Sequence, residues 1–187
     1  MQTPRLILVR HGRSAHVERR WLDAEGLARW NQAYDAASIT PELPPPPALR
    51  ALAQRAACIV ASDMPRAIAS AELLAGPRME PATSPLLREV ELPLPTVPLV
   101  RLPLMAWALV LGAQEFGRRV RGVHAPPEVT DRAGRAADWL LEVAERGTPV
   151  LAVTHGSFRA HLARTLERRG LRSRGGGIGH WSAWEFG

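Results

Sequence analysis

Three short apolar runs punctuate the chain, and each stops at a cluster of polar residues. Leu6-Ile7-Leu8-Val9 runs into Arg10-His11-Gly12, Cys58-Ile59-Val60-Ala61 into Ser62-Asp63, and Val150-Leu151-Ala152-Val153 into Thr154-His155-Gly156. An unbroken apolar tetrad has no polar face, which is the pattern of a strand covered on both sides. Helical stretches follow: residues 65–75, closed by Gly76-Pro77, residues 157–169, closed by Gly170, and a weaker one starting near Ser14. A further helix covers about residues 130–146, with Ala136, Leu140 and Val143 on one face and Gly147 at its end. Strands alternating with helices predict an α/β fold, a three-layer α/β/α arrangement around a mainly parallel sheet.

Two stretches break the alternation. Residues 40–47 hold five of the 17 prolines and read as a loop, since consecutive prolines offer no N–H to a helix or a sheet. Residues 93–103 hold four more prolines and lead into an apolar segment around Trp107. Residues of about 90–127 therefore read as a cap-like insertion over the sheet's edge, part loop and part helix, and Gly175-Gly176-Gly177 as a flexible turn. Trp107 and its leucines read as core or as a subunit interface, so a homodimer is among the expectations.

Composition narrows the classes. The 187 residues suit one domain spanning 1–187, and 46% hydrophobic with 22% charged residues is an ordinary globular composition. All 24 basic residues are Arg, giving a net charge of +6, but they alternate with Asp and Glu along the chain rather than forming a stripe. Nucleic acid is therefore not an expected partner. Cys58 is the only cysteine, which leaves no disulfide framework and no thiolate cluster for zinc. With only four apolar residues before Arg10 and no apolar run of the roughly 20 residues that span a bilayer, a cytoplasmic protein without a membrane span is expected.

In an open α/β sheet ligands bind at the carboxyl ends of the strands, so the three polar tips should converge. They carry Arg10 and His11, Ser62 with Arg66 one helical turn on, and His155. Two guanidiniums and two imidazoles around one crevice describe a phosphate site, because the planar Arg fork matches phosphate oxygens and His serves as nucleophile, base or donor.

These same residues carry a resemblance. Arg10-His11-Gly12-Arg13-Ser14 resembles the Arg-His-Gly signature of the histidine phosphatase superfamily, the phosphoglycerate mutase-like proteins. Ser62-Asp63-Met64-Pro65-Arg66-Ala67 is similar to that family's Ser-x-x-x-Arg-Ala, Val153-Thr154-His155-Gly156 to its second histidine motif, and Leu87-Arg88-Glu89 to the Leu-x-Glu that supplies the acid. The motifs stand in the family's order over about residues 5–90 and 128–170.

The resemblance implies a metal-independent phosphomonoesterase that needs no cofactor. His11 would attack phosphorus and form a phosphohistidine, with Arg10, Arg66, His155 and Ser14 holding the phosphoryl oxygens. Glu89 would protonate the leaving oxygen and then deprotonate water, with Glu91 as the alternative acid. The expected partner is a small phosphorylated substrate or a phosphoprotein. Position 17, where many members carry Asn, is Val17, with His16 or Arg13 as candidate substitutes, and the mutase branch's Gly-x-Trp-Glu-Gly is replaced by Leu92-Pro93-Leu94-Pro95. That second departure favours hydrolysis over a mutase. The rival readings are a phosphotransferase or mutase of the same fold and a non-catalytic member that binds phosphate or protein. Arg164, Arg168, Arg169, Arg172 and Arg174 read as a solvated helix face, and His124, His161 and His180 have no partner motif.

Overall fold

The computed structural model describes residues 6–91, 100–120, 126–146 and 149–187. The three apolar runs are the strands β1 (Leu6–Arg10), β3 (Cys58–Ser62) and β6 (Val150–Thr154). With β4 (Ala82–Ser84), β7 (Ser173–Gly175) and β8 (Ala183–Phe186) they form one sheet in the order β4-β3-β6-β1-β8-β7. The pairings from β4 to β1 are parallel, and β8 and β7 add antiparallel strands at the other edge. The chain thus has the expected mainly parallel α/β sheet.

Strand geometry explains the unbroken apolar runs. Successive side chains point to opposite faces. Leu6, Leu8, Val60, Val150 and Ala152 face one layer, where they pack with Ala133, Ala137 and Leu140 of α5 (Pro127–Arg146) and Phe158, Leu162 and Leu166 of α6 (Gly156–Arg168). Ile7, Val9, Ile59, Ala61, Leu151 and Val153 face the other, against Leu49 and Ala53 of α2 (Pro47–Gln54) and Ala67, Ala71 and Leu74 of α3 (Pro65–Ala75). Both faces are covered, so neither position of the alternation is polar.

Several local expectations are corrected. No helix starts near Ser14, whose backbone makes a single antiparallel bridge to Ile39. The helix in this region is α1 (Ala24–Ala36), where Asp23 caps the start by accepting from the Gly26 N–H at 2.8 Å. Pro47, placed in the proline loop, is the first residue of α2, a position where its missing N–H costs nothing. Gly175 ends β7 rather than only starting a turn.

The insertion contributes β5 (Leu102–Pro103) and α4 (Leu104–Val120), while its last residue, Pro127, opens α5. β5 pairs with β2 (Trp21–Leu22), and Trp107 of α4 is buried with Leu22 and Leu27, its indole donating to the Leu22 carbonyl at 2.8 Å. The described part of the insertion therefore packs on β2 and α1, which makes Trp107 a core residue of this cap. Pro93, Pro95, Pro98, His124 and Gly147 lie outside the described residues. Among the described residues no helix is long and apolar enough to cross a membrane.

Candidate active site

The carboxyl ends of β1, β3 and β6 bring His11, Ser62 and His155 together, all buried. The His11 and His155 rings stand 5.0 Å apart between centroids, tilted by 58°. His11 Nδ1 donates to the Gly12 carbonyl at 2.7 Å, since a carbonyl only accepts. That bond fixes the proton on Nδ1 and leaves the Nε2 lone pair free, and Nε2 has no hydrogen-bond partner among the described residues. Burial pulls the His11 pKa down to about 3, helped by the positive charges of Arg66 and Arg10. His155 is held down to about 2, again mainly by burial and then by His11, Arg66 and Arg10. Its Nε2 and Ser62 Oγ are hydrogen-bonded at 2.9 Å, while Nδ1 is buried without a partner.

The glycine of the first motif is required by a close approach. A Cβ on Gly12 would lie 2.3 Å from Cζ2 of Trp181. The Gly12 N–H donates to Ser70 Oγ at 2.9 Å, and that hydroxyl donates to the Arg66 carbonyl at 2.6 Å, so α3 holds the turn after β1.

Arg66 is buried in the first turn of α3, yet its fork is partly engaged. Nη1 donates to the Tyr34 carbonyl at 3.0 Å and Nη2 to Asp35 at 3.2 Å, with the guanidinium 4.4 Å from the Tyr34 ring centre. A cation there suits the carboxyl end of α1. Arg10 donates through Nη1 to the Ile178 carbonyl and lies over the start of α6, where a Cβ on Gly156 would come 3.4 Å from Arg10 Cζ. The Nε atoms of Arg10 and Arg66 are buried without partners, as is His155 Nδ1. Ser14 is buried, and its hydroxyl accepts from the His16 N–H at 3.2 Å.

Glu89 is half-buried and turned onto α6. Its Oε1 accepts from the N–H groups of Phe158 and Val90, both at 2.8 Å, and Oε2 accepts from Ser157 at 3.2 Å. A carboxylate at a helix N-terminus meets unsatisfied N–H donors and the positive end of the dipole. One lone pair of Oε2 is left for a proton. The segment is held by Thr154 Oγ1, which donates to the Leu87 carbonyl at 2.7 Å, by Arg132 of α5, which donates to the carbonyls of Arg88 and Glu89, and by Arg88 paired with Asp63. Glu91 is exposed, and Val17 is 57% exposed.

Three residues of this region, Tyr34, Arg159 and Trp181, escape the sequence reading, and a fourth, His180, is set aside there for want of a partner motif. Tyr34 covers Arg66. Arg159 is buried and donates to the carbonyls of Ser182 at 2.6 Å and Gly177 at 3.0 Å. It lies one turn into α6 from His155, the residue that caps the start of that helix. His180 and Trp181 come from the turn before β8, a region without any motif. Of the solvated-face arginines, Arg169 pairs with Asp138. Among the described residues no three His, Cys, Asp or Glu side chains group to hold a metal ion.

The strand tips of a mainly parallel sheet, covered on both faces, thus carry two histidines and two arginines among the described residues. The chain matches the histidine phosphatase superfamily (branch 1) over residues 47–175, and it belongs to that family. No curated protein matches it. A solved mycobacterial glucosyl-3-phosphoglycerate phosphatase, in complex with VO3, is similar in fold: TM-score 0.61, 20% identity, covering 98% of this chain and 92% of that one. A phosphoserine phosphatase from Entamoeba histolytica, in complex with 3-phosphoglyceric acid, gives a TM-score of 0.51 at 17% identity, covering 88% and 80%.

Proposed function

We propose that the protein is a phosphomonoesterase that works through a phosphohistidine on His11. The observation that carries the reading is the His11 ring: its proton is committed to the Gly12 carbonyl, so Nε2 is an unprotonated nucleophile at neutral pH. Family membership and the two neighbours, both named as phosphatases, support it.

In the first step Nε2 attacks phosphorus in line, the N–P bond forms, and the P–O bond to the leaving group breaks. The leaving oxygen takes a proton from Glu89 and departs as an alcohol. Arg10, Arg66 and His155 meet the phosphoryl oxygens; each has a buried nitrogen without a protein partner, a donor that an oxyanion satisfies. Ser14 adds a hydroxyl. In the second step water attacks phosphorus, its proton passes to Glu89, and the N–P electron pair returns to His11. The cations already in place meet the charge, so the mechanism assigns no role to a metal.

The test is His11→Ala with a folded control by circular dichroism. Turnover of an aryl phosphate should fall by more than about 100-fold, and wild type quenched during turnover should carry an acid-labile, base-stable phosphoryl group. A variant that keeps more than about 1% of wild-type kcat sinks the assignment.

A further inference from the structure

Arg159 is a buried cation that the chemistry above does not use. It lies in the first turn of α6 and is 1% exposed. Its terminal nitrogens reach opposite ends of the turn before β8: Nη1 donates to the Ser182 carbonyl at 2.6 Å and Nη2 to the Gly177 carbonyl at 3.0 Å. The guanidinium lies 4.4 Å from the Trp184 ring centre, and the Trp184 indole donates to the same Gly177 carbonyl at 3.0 Å. Burial and the charge of Arg10 lower the Arg159 pKa to about 10, so at neutral pH it keeps its proton and all its donors. A planar fork spans two carbonyls in this way, whereas an ammonium is a single point.

The clamped turn in turn grips Arg10 along its length. The Arg10 N–H donates to the Ser182 carbonyl at 3.1 Å, the acceptor that Arg159 also uses, and the Arg10 carbonyl accepts from the Trp181 N–H at 3.0 Å. At the far end of the side chain, Nη1 donates to the Ile178 carbonyl. One nitrogen of the Arg10 fork is thus committed to the turn, while Nε is buried without a protein partner and free for an oxyanion. The turn does not hold this shape by local preference. Trp181 has a φ of +61°, the only positive value at a non-glycine among the described residues. A bulky residue in that region costs free energy and persists only where its surroundings over-determine it. Here they are the Arg159 clamp, the Trp181 indole bond to the Leu43 carbonyl at 2.9 Å and the Ser182 hydroxyl bond to the Gly179 carbonyl at 2.6 Å.

We propose that Arg159 is a positioning residue of the phosphoryl site: by clamping both ends of the turn it fixes the Ile178 and Ser182 carbonyls, and through them the direction in which Arg10 presents its free nitrogen. The inference rests on the phosphatase reading above and adds to it a residue that touches no substrate. A long side chain held in this way loses its rotamer freedom on folding rather than on binding, so the phosphoryl group meets a donor already in place. Removing the clamp should therefore weaken phosphate binding, and only as long as Arg10 is there to be aimed.

A double-mutant cycle tests this, read by titration calorimetry with inorganic phosphate, which needs no turnover. Arg159→Met fills the place of the apolar stem and removes both donors. It should weaken phosphate binding at least about fivefold, within the coupling range of residues in one hydrogen-bond network. In the Arg10→Gln background the same substitution should weaken it by less than about twofold. A residue that merely holds the fold would give the same loss in both backgrounds. Trp184→Phe keeps a ring beside the guanidinium and removes only the indole donor to Gly177, so it carries the cycle if Arg159→Met does not fold by circular dichroism. Its loss should be about threefold with Arg10 present and absent without it. A loss that stays above about twofold in the Arg10→Gln background, or an affinity that neither substitution changes, overturns the positioning role. The expected pattern in a protein that releases no phosphate from any ester overturns the phosphatase reading and leaves the positioning of Arg10 standing.

Discussion

The strand tips and the cap formed by β2, α1, β5 and α4 bury opposite kinds of side chain. At the tips the buried residues are polar: His11, Ser62, Arg66, Ser70, Thr154 and His155. Each is held by bonds from other elements, such as Ser70 to Gly12, Ser62 to His155 and Thr154 to Leu87. In the cap the buried residues are apolar and few, Leu22, Leu27 and Trp107, while Met105 and Leu109 of α4 are 74% and 70% exposed. A polar cluster keeps its geometry only if its partners are fixed, so the tips inherit the rigidity of the two large sheet clusters. The cap rests on one small cluster, and regions with few buried contacts open at lower free energy than the core.

The sharpest way to break this contrast is Trp107→Ala. Truncating a buried Trp costs about 3–5 kcal/mol, and the indole bond to the Leu22 carbonyl goes with it. The loss should stay local. Hydrogen exchange should quicken over residues 21–36 and 102–114, with protection in β1, β3 and β6 unchanged. Equal loss in the three strands would show that cap and sheet open as one unit.

Glu89 joins the contrast to chemistry, because it belongs to the tips by proposal and to α6 by its hydrogen bonds. Glu89→Gln should slow alkyl phosphates by about 100-fold, the low end of what a general acid supplies. Aryl phosphates, whose leaving groups need no proton, should slow much less. Glu91→Gln, at an exposed carboxylate, should do little. If Glu89→Gln lowers thermal stability but slows both ester classes alike, the carboxylate is a helix cap and not the acid. If Glu91→Gln gives the leaving-group-dependent defect, the acid lies two residues on.

What was legible in the sequence follows the same division. The sheet announced itself because strands covered on both faces read as unbroken apolar runs, and two of the polar tips, Arg10-His11 and His155, close such runs. β7 and β8 have no such pattern: Ser173–Gly175 is exposed throughout, and in Ala183–Phe186 only Phe186 is buried. His180 carries no motif for that reason, since its place beside His11 depends on antiparallel pairing between distant segments. α1 was misplaced because its start signal, Asp23, follows ten residues without periodicity, and α2 was masked by the prolines that lead into it.

The smallest expected effect is one of acidity, and it tests whether the tips are the part of the fold that acid attacks. His11 and His155 have folded pKa values near 3 and 2, against about 6.5 in an unfolded chain. Below pH 6.5 the unfolded state therefore binds protons that the folded state refuses, and stability falls as pH falls. From pH 6.5 to 5.5 each histidine should remove about 1 kcal/mol, or about 2 kcal/mol for the pair. Denaturant unfolding at the two pH values measures the loss, and His155→Asn should remove about 1 kcal/mol of it. Local opening of the cap, whose buried core of Leu22, Leu27 and Trp107 has no ionisable group, should keep its exchange free energy over the same window. A global stability that is flat between pH 6.5 and 5.5 would mean that protons reach the histidines without unfolding, and that the strand tips are less tightly closed than their burial implies.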